Sequence, residues 1–296
     1  MSYPPSNHIL FEQLTTSIKD GKCIPIIGAG VSHPDYPLWA VLSDQLKEAC
    51  EIRAEDLTSD DPADILEAAR AKNRQKFIAA LLGKFRRLEH PSAARRYHLL
   101  ARLKSRRYIT LNFDPLLVDI VGLHRNVAVS QYPWITSGQH EDGELIHLHG
   151  RLDGDFDASA WPLVLTRTDF DKAYHPDQGL LHSFLQDTLL NNDVCFLGCN
   201  PREGNLAKLL SACAKLKHSF FADAINVPRW YALLDEGWDE WLFTDVGIHA
   251  VSYRKINESY VGFDQVLECW AGKKDPVIRR PGVAGSKFDA DTEPQR

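Results

Sequence analysis

From Tyr108 onward, short apolar runs alternate with stretches of helical periodicity, and this alternation constrains the fold more than any other feature of the chain. The runs 107–112, 144–148, 193–197, 229–234 and 247–253 have the length and content of strands. Helical patterns fit between and after them at Pro115–Leu123, Asp169–Tyr174, Gly179–Leu190, Asn205–Ala214, Asp239–Phe243 and Tyr260–Ala271. Strands separated by helices are joined in parallel through crossover connections, so the pattern predicts an α/β fold with a Rossmann-like, mainly parallel sheet flanked by helices. Thr166-Arg167-Thr168-Asp169 has the spacing of a capping box and marks a helix start.

Upstream, Ile9, Leu10, Leu14 and Ile18 recur at helical spacing, so residues 8–20 read as an amphipathic helix ended by Gly21. Lys22–Ile27 reads as a first strand, with Pro25 as an objection because proline removes a ladder donor and favours edges. Four helical patterns follow at Leu38–Cys50, Pro62–Lys72, Gln75–Leu88 and Ala93–Leu103 without a convincing strand among them. The expected organisation is one domain over 1–272 with a helical insertion at about 38–105 after the first strand, then a loose Pro- and Gly-rich tail at 273–296.

With 44% hydrophobic and 25% charged residues the chain has the balance of an ordinary globular protein. Its net charge of -6 argues against nucleic acid as the main partner, and the basic run Lys84–Arg107 reads as a solvated helical face or a protein contact. No apolar stretch approaches the length of a membrane span, and the first residues lack the pattern of a secretory signal. The six cysteines are scattered through expected strands and helices, which suits reduced thiols; the expected location is the cytoplasm, with no membrane partner.

Chemistry-bearing residues gather at the expected carboxyl ends of strands. Gly28-Ala29-Gly30 lies between a strand and a helix, where glycines let backbone approach a pyrophosphate; a plain tight turn explains it equally well. His33 replaces the third glycine of the dinucleotide fingerprint, and no strand with an acidic end follows at the required distance, which disfavours a hydride-transferring dehydrogenase. In Thr110-Leu111-Asn112-Phe113-Asp114-Pro115, Asn112 and Asp114 share one parity at a strand end. Asp114 also suits a helix cap ahead of Pro115. His149, before Gly150, is of a type suited to proton transfer near neutrality, or to a satisfied structural site; His147 reads as a hydrogen-bonded core histidine.

Taken in order, Gly-Ala-Gly-Val-Ser at 28–32, Thr-Leu-Asn-Phe-Asp at 110–114 and His-Leu-His-Gly at 147–150 resemble the sirtuin superfamily. Phe196-Leu197-Gly198, Trp230-Tyr231-Ala232-Leu233-Leu234 and Gly247-Ile248 extend the likeness to the zinc-less branch of sirtuin-like NAD hydrolases in bacterial antiphage defence. The resemblance implies that Gly28, Ala29, Gly30 and Ser32 line the phosphates of NAD, while Asn112 holds the nicotinamide ribose or the attacking water. It implies that Asp114 lies beside the nicotinamide pocket, that His149 is the base, and that Gly198 and Cys199 face the adenosine half. Cys199 and Pro201 depart from the family pattern there, and Leu111 replaces a glutamine common in sirtuin deacylases.

The implied activity is hydrolysis of the nicotinamide–ribose bond to nicotinamide and ADP-ribose, depleting NAD in defence. Sirtuin deacylases carry a zinc module of two C-x-x-C pairs soon after the histidine, but this chain has no cysteine between His149 and Cys195. Neither zinc nor another metal is expected, and a deacylase is the alternative. A non-catalytic module sensing NAD or ADP-ribose is the other. The resemblance further implies a homo-oligomer acting with a separately encoded defence partner, such as a hexameric translocase ATPase.

Overall fold

The computed structural model describes residues 7–125, 127–135, 143–152, 162–202, 204–220, 227–235, 246–253 and 260–272. At its centre is a seven-stranded, all-parallel sheet: β1 Cys23–Ile27, β2 Arg107–Thr110, β3 Ala128–Gln131, β4 Glu144–His147, β5 Asp193–Leu197, β6 Trp230–Asp235 and β7 Ile248–Tyr253. The order across the sheet is β3-β4-β2-β1-β5-β6-β7. Helices cover both faces, giving the expected α/β Rossmann-like fold.

Alternation along each strand divides the core in two. Cys23 and Ile27 of β1, Tyr108 of β2, and Cys195 and Leu197 of β5 face one side. There they meet Leu10, Leu14 and Ile18 of the first helix (Asn7–Lys19), the helices between β1 and β2, and the last helix (Val261–Trp270). Ile24 and Ile26, Ile109, and Val194 and Phe196 face the other side, against helices Leu180–Asn191 and Gly204–Phe220. A sheet covered on both faces excludes water from every central strand, which is why these strands read as unbroken apolar runs.

β1 is the middle strand, against the preference of Pro25 for an edge. Pro25 stands in register with Cys195 of β5, whereas the β1–β2 ladder comprises only Ile26↔Ile109 and Ile27↔Thr110. The Ile27 carbonyl accepts from Leu111, so the same-parity nitrogen of Pro25 also faces β2, just ahead of that ladder. The missing donor therefore breaks no rung of the sheet.

Several boundaries differ from expectation. β3 was not expected; it is an edge strand whose four residues are only partly covered, so it carries no apolar run. The helix expected at Pro115–Leu123 is wound as a π-helix over Leu117–Gly122 before Leu123–Arg125. The capping box at Thr166 and Asp169 is present, but it starts the helix at Arg167 instead of Asp169. The region between β1 and β2 contains the helices Trp39–Ala49, Pro62–Lys72, Arg74–Lys84 and Ala94–Leu100. The helix expected at 239–243 and the tail at 273–296 lie outside the described residues.

Candidate active site

The carboxyl ends of β1, β2, β4 and β5 are neighbours in the sheet, so the segments after them, 28–32, 111–114, 148–150 and 198–199, converge on one edge. In open parallel sheets this is the edge at which ligands bind.

The glycine loop begins a four-residue helix, Ala29–Ser32. Its close partner is the turn after β5: the Gly28 amide donates to the Leu197 carbonyl at 2.8 Å, and the Gly30 amide to the Gly198 carbonyl at 2.8 Å. A Cβ on Gly28 would lie 2.3 Å from the Cβ of Cys199, and one on Gly30 2.9 Å from the Gly198 oxygen. Gly198 itself holds a left-handed backbone, φ +63°, with room for no side chain against Val31. Backbone packing between the two loops thus accounts for glycine at 28, 30 and 198. Cys199 is half-buried, its thiol against the Ile26 carbonyl at 3.7 Å.

Below this loop lies a buried polar network. Ser32 Oγ donates to Asp114 Oδ2 at 2.6 Å. A serine hydroxyl has one proton, so the 2.6 Å contact between Ser32 Oγ and the Tyr97 hydroxyl is donated by Tyr97. Asn112 Nδ2 donates to the Gly28 carbonyl at 3.1 Å and to Ser32 Oγ at 3.0 Å, with the Tyr97 oxygen also at 3.4 Å. Both amide protons are therefore engaged. Asn112 Oδ1 accepts no hydrogen bond from the described residues, and it is not among their fully enclosed unpartnered atoms. The network fixes the amide through its nitrogen and leaves Oδ1 as its open acceptor among the described residues.

Asp114 has the capping contact expected of it and a second partner in Ser32. Oδ1 accepts from the Leu116 amide at 3.1 Å in the manner of a cap, while Oδ2 takes the Ser32 proton. Burial pushes its carboxyl up to about 6, against the pull of the hydrogen bonds from Ser32 and Leu116. Ser32 and Asp114 are almost fully buried; Ser32 holds Asn112 directly and Asp114 holds Ser32.

His149 sits on the other side of the β2 loop, in an aromatic cage. Its ring packs edge-on to Phe170, with centroids 5.2 Å apart, and against Phe113 and Tyr174. Burial drives its pKa down to about 4, opposed by a backbone hydrogen bond with Leu111, so the imidazole is neutral at physiological pH. Its Nε2 lies 2.9 Å from the Tyr174 hydroxyl. Burial raises the phenol of Tyr174, which keeps its proton and donates it to that nitrogen. His147 is a core histidine: fully buried, pushed down to about 3 chiefly by burial, with Nδ1 3.2 Å from the Asn112 carbonyl.

Tyr97 and Tyr174 escape sequence reasoning. Tyr97 follows Arg95 and Arg96 in the basic run, and that run is not a uniformly solvated face: Arg96 pairs with Asp264 at 2.7 Å and Arg107 with Glu144 at 2.9 Å, both largely covered. An aromatic flanked by such charges was the available signal. The cysteines do not assemble: Cys195 is in β5, Cys199 in the following turn and Cys213 in helix Gly204–Phe220. The described residues contain no group of three or more His, Cys, Asp or Glu side chains arranged to hold a metal, and no helix long and apolar enough to cross a membrane.

Residues 106–246 match the family model of the SIR2-like domain. The matched segment carries Asn112, Asp114, His149, Gly198 and Cys199; β1 and its glycine loop precede it and complete the sheet between β2 and β5. The match supports the sirtuin-like superfamily and is compatible with an enzyme that uses NAD. Comparison with curated proteins gave no match.

Proposed function

We propose that this chain is an NAD+ hydrolase that cleaves the nicotinamide–ribose bond to give nicotinamide and ADP-ribose. The observation that carries the reading is the orientation of Asn112: its Nδ2 is consumed by Gly28, Ser32 and Tyr97, which leaves Oδ1 as an acceptor at the ligand-binding edge of the sheet. Cleavage breaks the bond between ribose C1′ and the pyridinium nitrogen; the bonding pair stays on that nitrogen, and nicotinamide leaves as a neutral pyridine. Little acid assistance is needed. The protein has to hold the ribose, support positive charge at C1′ and aim a water at it. Asn112 Oδ1 accepts a hydrogen bond from that water or from a ribose hydroxyl. Water's oxygen forms the new bond to C1′, and its proton passes to the neutral imidazole of His149 and on to solvent. Gly28, Ala29 and Gly30 stand on the phosphate side, Gly198 and Cys199 towards the adenosine.

Tyr174 caps His149 Nε2 at 2.9 Å, which fits an enzyme held at rest. An unregulated NAD hydrolase would drain its own cell. We therefore include in the proposal activation by assembly, as a homo-oligomer and with a separately encoded partner, in antiphage defence.

The test is incubation of the full chain with NAD and identification of products by mass. Nicotinamide and ADP-ribose should accumulate with the wild type, and release should fall at least a hundredfold in Asn112→Ala and His149→Ala while each chain still melts cooperatively above the assay temperature. NAD bound but intact would replace the reading with a sensing module. Release that depends on an acyl-lysine peptide would replace it with a deacylase.

A further inference from the structure

The helical region between β1 and β2 reaches the site through two adjacent residues, Arg96 and Tyr97 of helix Ala94–Leu100. They grip the glycine loop by different atoms. Tyr97 is fully buried, and its hydroxyl gives its proton to Ser32 Oγ. Because Ser32 also donates to Asp114 and accepts from Asn112, its hydroxyl is saturated only while Tyr97 is present.

Arg96 holds the same end of the loop by its backbone, on either side of Ser32. Its Nη1 points at three backbone carbonyls, those of His33 at 2.8 Å, Val31 at 3.3 Å and Gly30 at 3.5 Å. These are the outward-facing oxygens at the end of the Ala29–Ser32 turn, where a cation offsets the unpaired carbonyls. The same guanidinium donates through Nε to Asp264 at 2.7 Å and stacks near Tyr260 and Phe263, with ring centroids at 5.5 and 5.8 Å. One planar fork thus joins the glycine loop, the helical region and the last helix, a task a point charge on a flexible stem does not reproduce.

We infer that Arg96 and Tyr97 are positioning residues of the active site, Tyr97 setting the amide of Asn112 through Ser32 and Arg96 setting the backbone of the glycine loop. This inference rests on the proposed NAD hydrolysis for its kinetic consequences, but the geometry it describes does not. The two residues act on different halves of the reaction. Tyr97 governs the group at the reacting carbon, and Arg96 governs the loop on the phosphate side.

The experiment compares Tyr97→Phe and Arg96→Lys with the wild-type full chain and with Leu185→Ala. Leu185 is buried in helix Leu180–Asn191, on the face of the sheet opposite Tyr97, and its truncation lowers stability without a contact to the glycine loop, Arg96 or Tyr97. Steady-state nicotinamide release, melting temperature and amide hydrogen exchange are measured for each. Tyr97→Phe should lower kcat at least tenfold with KM within threefold of wild type. Arg96→Lys should raise KM at least fivefold with kcat within threefold. Leu185→Ala should lower only the melting temperature. Wild-type kcat and KM in both site variants, or effects no different from those of Leu185→Ala, would overturn the inference. Should the wild type release no nicotinamide, the NAD reading fails and exchange decides alone. Amides 29–33 in Arg96→Lys and 111–114 in Tyr97→Phe should then exchange at least tenfold faster than in the wild type, with helix Leu180–Asn191 unchanged, and unaltered exchange would refute the positioning role.

Discussion

Replacing Gly28 by alanine separates two reasons for a glycine at the end of β1: contact with a ligand, or contact with the protein. The backbone there is extended, φ -115° and ψ -179°, which alanine adopts freely, so conformational freedom is not what requires glycine. Space is. The new methyl would sit 2.3 Å from the Cβ of Cys199, 2.7 Å from the Gly198 oxygen and 2.9 Å from the Cα of Cys199. Non-bonded carbons approach to about 3.5 Å without repulsion, so the closest contact overlaps by about 1 Å. Two of the three atoms are backbone in a turn fixed by the Gly28 and Gly30 amides, and cannot swing aside. Overpacking of this kind costs about 1–3 kcal/mol, and the upper end applies where backbone must move. For a chain of 296 residues, with an unfolding entropy of about 0.6 kcal/mol/K, about 3 kcal/mol is a fall in melting temperature of about 5 °C. Urea denaturation of Gly28→Ala, Cys199→Gly and the double variant measures it. The Cys199→Gly change removes the nearest atom and should recover about 1–2 kcal/mol in the alanine background, a coupling expected only of touching residues. Wild-type stability in Gly28→Ala, with NAD binding alone lost, would refute the packing argument and return the glycine to the ligand.

Tyr174→Phe removes the donor that caps His149 Nε2; if the tyrosine holds the imidazole at rest, nicotinamide release should rise several-fold in a steady-state assay, whereas a fall would make the hydroxyl part of the proton path. Asp114 has a folded-state pKa raised from 3.8 to about 6 by burial, so its contribution to stability is present below pH 4 and lost as pH rises through 6. That loss is worth up to about 3 kcal/mol. Asp114→Asn should flatten the pH dependence of urea stability between pH 4 and 7.5 by that amount, and parallel curves for the two proteins would show that the carboxylate is not penalised. His149, pushed down to about 4, has the opposite sign: its stabilisation is full above pH 6.5 and is lost as pH falls towards 4. His149→Phe should accordingly be less acid-labile than the wild type in pH-dependent melts, and equal acid lability would place the histidine in contact with solvent.

The strands and most helices were legible because their causes are local. A parallel strand buried on both faces must be apolar throughout, as Cys23–Ile27 and Asp193–Leu197 nearly are, and a helix with one covered face must repeat its apolar residues at helical spacing. Even the Thr166 capping box is written within four residues. β3 was not legible, since an edge strand needs no apolar run. Likewise, the polar residues that close strands, Asn112 and His149, stand out against apolar neighbours, and their order along the chain points to one ligand-binding edge.

What only the tertiary structure decided is which groups meet there and in what state. The strand order inserts β4 between β3 and β2 and puts β1, with its proline, in the middle; nothing local specifies that arrangement. Ser32, Tyr97 and Asp114 share one network across separations of 65 and 82 residues, and Arg96 reaches 168 residues to Asp264. A side chain's protonation and the free end of an amide depend on burial and on the last hydrogen-bond partner, which are properties of packing. The sequence alone therefore named Asn112 and His149 as candidates. The fold determined that Asn112 spends its amide protons on Gly28 and Ser32, that His149 is neutral and capped by Tyr174, and that Arg96 and Tyr97 hold the same glycine loop.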